Sequence, residues 1–211
     1  MIVRFLLICE GSSDDALVHH IQRLLIQHGA TEADGISSHF GTSLTEKVKQ
    51  GLDLSTEPDL LFIHRDADHH LNTPVAGAAR RYEEITIAVQ SLNHDGPYVR
   101  IIPVRMTEAW LLLNECEIRR VAGKPRGRDD LDLPAVQNIE NIADPKRLLE
   151  EILLRAGSPK GIRRKKNFKN NFGEHRRQLI ENLPVGGPLD SLDSWVRFRD
   201  DTIAALQALG D

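Results

Sequence analysis

The sequence has 211 residues, of which 40% are hydrophobic and 27% are charged. This length permits one substantial core, either as a single domain or as a domain with a small appendage, and the composition is that of an ordinary globular protein. The net charge of −4 does not mark the whole molecule as a nucleic-acid binder, so any such binding depends on how the charges are distributed.

The two cysteines, Cys9 and Cys116, have no zinc-type spacing and are too few for a disulfide framework. Cys9 lies in an apolar run and is expected to be a core residue. The apolar segment at residues 2–8 is too short to span a membrane and has no signal-peptide cleavage pattern. We therefore expect a cytoplasmic protein without a membrane partner.

Two strand–helix units are predicted in the first 52 residues. Residues 2–9 form a nearly continuous apolar run, which is typical of a central strand in a parallel sheet. Glu10 follows this strand, and a helix then begins near Ser13. Residues 36–40 predict a second strand, and residues 43–52 predict a helix capped by its first serine.

Residues 59–68 predict a buried strand that ends in two carboxylates, Asp66 and Asp68. Because residues two apart point the same way in extended chain, both carboxylates are expected to face one point. The alternative is a solvated turn, in which aspartate is a favoured residue.

A long helix is predicted at residues 74–92 and another strand at residues 98–104, with Pro103 as a break or an edge position near its end. Thr107 is expected to cap the next helix. Glu108 would then lie in the first turn after that strand.

Residues 123–144 lose this periodicity and predict an irregular connection. Helices follow at residues 144–155 and 189–209. We therefore predict an α/β domain at residues 1–122, with a mostly parallel sheet flanked by helices, and a helical appendage at residues 123–211.

Five acids are predicted to meet at one edge of the sheet, because the carboxyl ends of parallel strands face the same way. They are Glu10, Asp14, Asp66, Asp68 and Glu108. Such oxygen ligands favour Mg²⁺ or Mn²⁺, and the set could hold one or two ions in a two-metal-type site. The predicted catalytic residues are Glu10, Asp66 and Asp68, with Glu10 as a metal ligand or as a general acid or base.

The basic and imidazole side chains next to these acids have alternative interpretations. Arg65 and Arg105 either clamp a phosphate or only pair with the acids. His64, His69 and His70 could be transition-metal ligands, but two adjacent histidines cannot easily face one ion. We interpret these histidines as structural.

Positive charge is concentrated in residues 160–177. Such a segment suits a phosphate backbone, because lysine and arginine displace condensed counterions. The predicted nucleic-acid contacts are Lys160, Arg163, Arg164, Lys165, Lys166 and Lys169. A solvated basic helix face is the alternative interpretation.

The order of these motifs resembles the TOPRIM domain of topoisomerases, primases and overcoming-lysogenisation-defect (OLD) nucleases. Glu10-Gly11 at a strand end resembles its first motif, and Asp66-Ala67-Asp68 resembles its second. Residues 102–111 are similar to a Pro-then-Glu-Ala-Trp segment of stand-alone TOPRIM-like proteins from bacterial defence or mobile-element settings. The resemblance covers about residues 1–120, and no lysine clearly matches the catalytic lysine of some OLD nucleases.

The resemblance implies a TOPRIM, Rossmann-like fold and a Mg²⁺- or Mn²⁺-dependent endonuclease, closest to the stand-alone and OLD-type nucleases. We expect nucleic acid as the partner, DNA in preference to RNA, with a partner ATPase or a second copy of the chain as further possibilities. One alternative is a non-catalytic subunit that binds nucleic acid or protein. Another is a nucleotidyl- or phosphotransferase that uses the same metals.

Overall fold

A computed structural model describes residues 1–55, 57–67 and 73–210 of the chain. Its sheet has four strands: β1 (Ile2–Ile8), β2 (Glu32–Ser38), β3 (Leu60–His64) and β4 (Tyr98–Ile101). The strands lie in the order β2-β1-β3-β4, and every neighbouring pair is parallel. The predicted α/β class, with a parallel sheet flanked by helices, is confirmed, and the architecture is Rossmann-like.

The helices cover both faces of this sheet. They are α1 (Leu17–Gln27), α2 (Leu44–Leu54), α3 (Pro74–Ser91), α4 (Glu108–Leu111), α5 (Glu115–Val121), α6 (Pro145–Gly157), α7 (Ile162–Asn170), α8 (Phe172–Glu181) and α9 (Asp193–Ala208). Helices α2 and α3 pack on one face, and α1 with most of the later helices packs on the other. Among the described residues, none of the helices combines the length and the apolar character needed to cross a membrane.

The two central strands, β1 and β3, are buried because their side chains fill the cores on both faces. Phe5 and Leu7 of β1 join the core on the α1 side, whereas Leu6 and Ile8 join the core on the α2 and α3 side. All residues of β3 are buried. This explains why Phe5–Ile8 of β1 and Leu60–Ile63 of β3 are continuous apolar runs rather than alternating ones.

Four predicted boundaries are wrong, each for a local reason. Helix α1 begins at Leu17, not near Ser13, because Ser12–Asp14 form a separate 3₁₀ turn without a side-chain cap. Strand β2 begins at Glu32, not at residue 36, and its polar residues are tolerated because β2 is an edge strand. Strand β4 ends at Ile101, two residues before Pro103, which has no N–H for a sheet ladder. The last predicted helix is divided into a short 3₁₀ turn at Gly187–Ser191 and helix α9.

The residues after position 122 share one hydrophobic core with the sheet. Phe198 of α9 lies with its ring centroid 6.3 Å from that of Phe62 in β3, and it stacks on Trp110 at 6.0 Å. The indole Nε1 of Trp110 donates a hydrogen bond of 2.9 Å to Ser194 Oγ. The C-terminal helices are thus held firmly against the α/β unit, which positions α8 beside the carboxyl edge of the sheet.

Candidate active site at the carboxyl edge

The strand order reverses between β1 and β3, which makes a crevice at the carboxyl ends of these two strands. Ile8 of β1 pairs with Ile63 of β3, so Glu10 and Arg65 each lie two residues beyond that pair. Arg65 Nε is 2.9 Å from Glu10 Oε1. The predicted placement of Glu10 and Asp66 at neighbouring strand ends therefore agrees with the strand register.

The chain turns inward directly after Glu10. Gly11 is extended, and Ser12–Asp14 form a single 3₁₀ turn in which the Asp14 N–H donates to the Gly11 carbonyl at 3.2 Å. This turn buries Asp14, of which 4% is exposed. Asp14 is therefore an interior carboxylate and needs charged or hydrogen-bonding partners within the protein.

Asp66 is held by the segment that follows β4. Its Oδ1 accepts hydrogen bonds from the Thr107 N–H at 3.0 Å and from Thr107 Oγ1 at 3.4 Å. The Ala67 N–H donates to the Pro103 carbonyl at 3.1 Å, which fixes the chain after Asp66. The prediction that the Thr107 side chain caps a helix is wrong, because it makes no capping hydrogen bond and its hydroxyl lies at the site.

His64 lies between two of the predicted acids. Its imidazole is fully buried, with Nδ1 3.8 Å from Asp14 Oδ2 and Nε2 3.5 Å from Asp66 Oδ1. Thr107 Oγ1 is 2.9 Å from Nε2. Burial alone would lower the pKa of His64, but Asp14, Asp66 and Glu10 outweigh burial and raise it.

Arg176 enters the same site from α8. Its Nη2 is 2.6 Å from Asp14 Oδ1, its Nε is 2.7 Å from Glu108 Oε1, and its Nη1 donates to the Ser13 carbonyl. Burial opposes the charged guanidinium, but Glu108 and Asp14 outweigh burial and raise the pKa of Arg176. Arg176 lies within the basic segment at residues 160–177, but it is buried against these acids rather than exposed as the α7 lysines and arginines are.

The two acids that contact Arg176 are both buried. Burial would raise the pKa of Asp14, but His64 and Arg176 together outweigh burial and lower it. Glu108 begins α4 and is 3% exposed. Its Oε2 has no hydrogen-bond partner among the residues that the structure describes.

The remaining predicted site residues lie nearer the surface or outside the described ranges. The Glu10 side chain is 31% exposed, and Lys47 Nζ donates to the Glu10 carbonyl. Arg65, besides Glu10, lies 3.7 Å from Glu84, whereas Arg105 makes no ion pair within the described part of the chain. Asp68 lies outside the described residues, as do His69 and His70.

Helix α7 carries most of the predicted nucleic-acid contacts on its surface. Lys160, Arg163, Arg164, Lys165, Lys166 and Lys169 are all exposed, and none is ion-paired with a residue of the described ranges. Phe168 anchors the helix, with its ring centroid 4.5 Å from that of His175 in α8. The basic surface is thus packed directly against the helix that carries Arg176.

The acids differ in how well they suit a divalent metal ion. In the described ranges, no three carboxylate, imidazole or thiolate side chains are grouped to hold an ion. Asp14 and Glu108 do not fit as ligands, because Arg176 already neutralises them in a buried contact. Glu10 and Asp66 have partly exposed side chains at adjacent strand ends, which fits Mg²⁺, an ion that binds one or two carboxylates and keeps several waters.

Comparison of the chain with protein-family models, with curated proteins and with solved structures finds no match in any of the three.

Proposed function

We propose that this chain is a Mg²⁺- or Mn²⁺-dependent nuclease that hydrolyses phosphodiester bonds of nucleic acid, with DNA as the preferred substrate. The observation that carries the proposal is that Glu10 and Asp66 directly follow β1 and β3, the two neighbouring parallel strands between which the strand order reverses. A bound metal ion would polarise the phosphodiester and lower the pKa of a bound water. The protein must then hold the two carboxylates in place and keep the substrate phosphate beside them.

Neighbouring residues hold both of the proposed metal ligands, Glu10 and Asp66. Arg65 contacts Glu10 at 2.9 Å, and Thr107 donates two hydrogen bonds to Asp66 Oδ1. The contacts of Asp66 with Thr107 are both to Oδ1, and we assign its Oδ2 to the metal ion. Such fixed carboxylates need little reorganisation when the substrate binds.

Two basic elements support a polyanionic substrate. Arg105 lies three residues before Glu108, and its Nε has no hydrogen-bond partner among the described residues. We assign its guanidinium to the substrate phosphate. The exposed lysines and arginines of α7 supply a contact for the backbone further from the site. Because contacts to phosphates carry no information about the bases, the proposal implies little sequence preference.

A cleavage assay with purified protein tests the proposal. Plasmid and single-stranded oligonucleotide substrates, of DNA and of RNA, should be cut with Mg²⁺ or Mn²⁺ and left intact with excess chelator. Glu10→Gln should abolish cutting while the circular dichroism spectrum is retained. Binding without cleavage in every metal would contradict the proposal and favour a non-catalytic subunit.

A further inference from the structure

Arg176 is a buried guanidinium that lies between Asp14 and Glu108, two of the acids that the sequence predicts as metal ligands. It contacts Asp14 through Nη2 and Glu108 through Nε, so one planar group bridges carboxylates from two separate elements. Its third nitrogen donates to the Ser13 carbonyl. All three nitrogens are therefore engaged with the protein.

The carboxylate oxygens around Arg176 are mostly engaged and offer few ligands for an additional cation. Asp14 faces Arg176 with Oδ1 and His64 with Oδ2, so both of its oxygens already face nitrogen atoms. Glu108 retains Oε2, but this atom is buried. A guanidinium is always protonated at physiological pH, so its positive charge stays in the site under all working conditions.

We propose that Arg176 is a built-in cation that replaces the second metal ion, so that the site takes a single divalent ion, on the side of Glu10 and Asp66. This inference rests on the proposed nuclease function and changes the assignment of two residues. Asp14 and Glu108 become counter-ions of Arg176 rather than metal ligands. Arg176 becomes a positioning residue, because it acts on Asp66 only through Asp14 and His64.

The proposal also gives the C-terminal helices a role in the site. Arg176 belongs to α8, yet its partners belong to the segments that follow β1 and β4. The positive charge that a second ion would supply therefore comes from a distant part of the chain. The metal-ion count then depends on how α8 packs against the sheet, and not only on the acids of the sheet edge.

The test is the number of Mn²⁺ ions bound by the full chain, measured by electron paramagnetic resonance of free Mn²⁺ and by isothermal titration calorimetry. We expect one ion per wild-type chain. Glu108→Gln keeps an oxygen that can accept the Arg176 hydrogen bond, so its Mn²⁺ affinity should stay within about twofold of wild type. Asp66→Asn should weaken binding by about tenfold or more, because it removes a ligand charge.

Arg176→Ala gives the complementary result. Without the guanidinium, two buried carboxylates face each other, and the variant should bind two Mn²⁺ ions and gain thermal stability from them. If this variant does not fold, the wild-type stoichiometry and Glu108→Gln still decide the question. Two ions in the wild type, or a tenfold loss of affinity in Glu108→Gln, would overturn the inference and leave the nuclease proposal standing. Binding of no ion at all would overturn both.

Discussion

Replacing Arg176 by methionine tests whether the guanidinium balances the buried acids. Methionine keeps much of the side-chain volume but removes the charge and all hydrogen bonds to Asp14, Glu108 and Ser13. The side chains of Arg176, Asp14 and Glu108 are 7%, 6% and 4% exposed, so solvent cannot take over the role of the arginine. Removing one partner of a buried ion pair costs about 3–5 kcal/mol of unfolding free energy.

For a chain of this length, each kcal/mol corresponds to about 2–4 °C in melting temperature, so Arg176→Met should melt about 6–20 °C below wild type. Urea denaturation measures the free energy directly. The adjacent Arg177 provides a matched control, because it lies on the same helix and pairs with Glu174 and Glu181 at the surface. Arg177→Met should remain close to wild type. Equal losses in the two variants would refute the buried-cation argument.

Three further predictions concern other parts of the molecule. His20 is buried and its pKa is lowered to about 3 by burial, so its stabilising effect is complete above pH 6.5 and is lost as the pH falls. Between pH 7 and pH 5 the free energy of unfolding contributed by His20 should fall by about 2 kcal/mol, as measured by urea denaturation. A His20→Phe protein with the same fall would show that His20 is not its source. Thr107→Val should cost about 1–3 kcal/mol, because it removes the buried hydroxyl that lies 2.9 Å from His64 Nε2 and donates to Asp66 Oδ1, whereas Thr107→Ser keeps the hydroxyl and should cost less in the same measurement. In the Lys165→Ala, Lys166→Ala double variant, the slope of the logarithm of the DNA-binding constant against the logarithm of the salt concentration should become less steep by about 0.9 per lost phosphate contact. Fluorescence anisotropy measures this slope, and Lys49→Ala on α2 should leave it unchanged.

The sheet and its acidic edge could be predicted because strong local patterns encode them. Continuous apolar runs such as the one in β3 occur where a strand is buried on both faces, and such strands are parallel. The placement of Glu10 and Asp66 then follows from the rule that parallel strands share a carboxyl edge. Ser43 was also predicted correctly as a helix cap, because its capping box with Glu46 is a local motif.

The role of Arg176 could not be predicted in the same way, because its partners are more than 60 residues away in the sequence. One local signal existed. Arg176 lies four residues after Phe172 and three before Leu179, so it is on the apolar side of α8 rather than on its solvent side. A charged residue at such a position needs a buried partner of opposite charge.

His64 was interpreted as structural, and the structure places it between Asp14 and Asp66. Its spacing of two from Asp66 puts both side chains on the same side of the extended chain, which is a usable signal. The sequence could not show that Asp14 approaches from the other side, because that contact depends on the inward turn after Gly11.

The measurement that most directly tests the proposed metal-dependent nuclease activity is the single-turnover cleavage rate at saturating Mg²⁺ for three proteins. These are the wild type, Asp66→Asn, and Asp53→Asn, in which an exposed acid on α2 is changed as a control. We expect Asp66→Asn to cut about 100-fold more slowly or not at all, because it removes a metal-ligand charge, and Asp53→Asn to cut at the wild-type rate. Cleavage by folded Asp66→Asn at the wild-type rate would contradict the account.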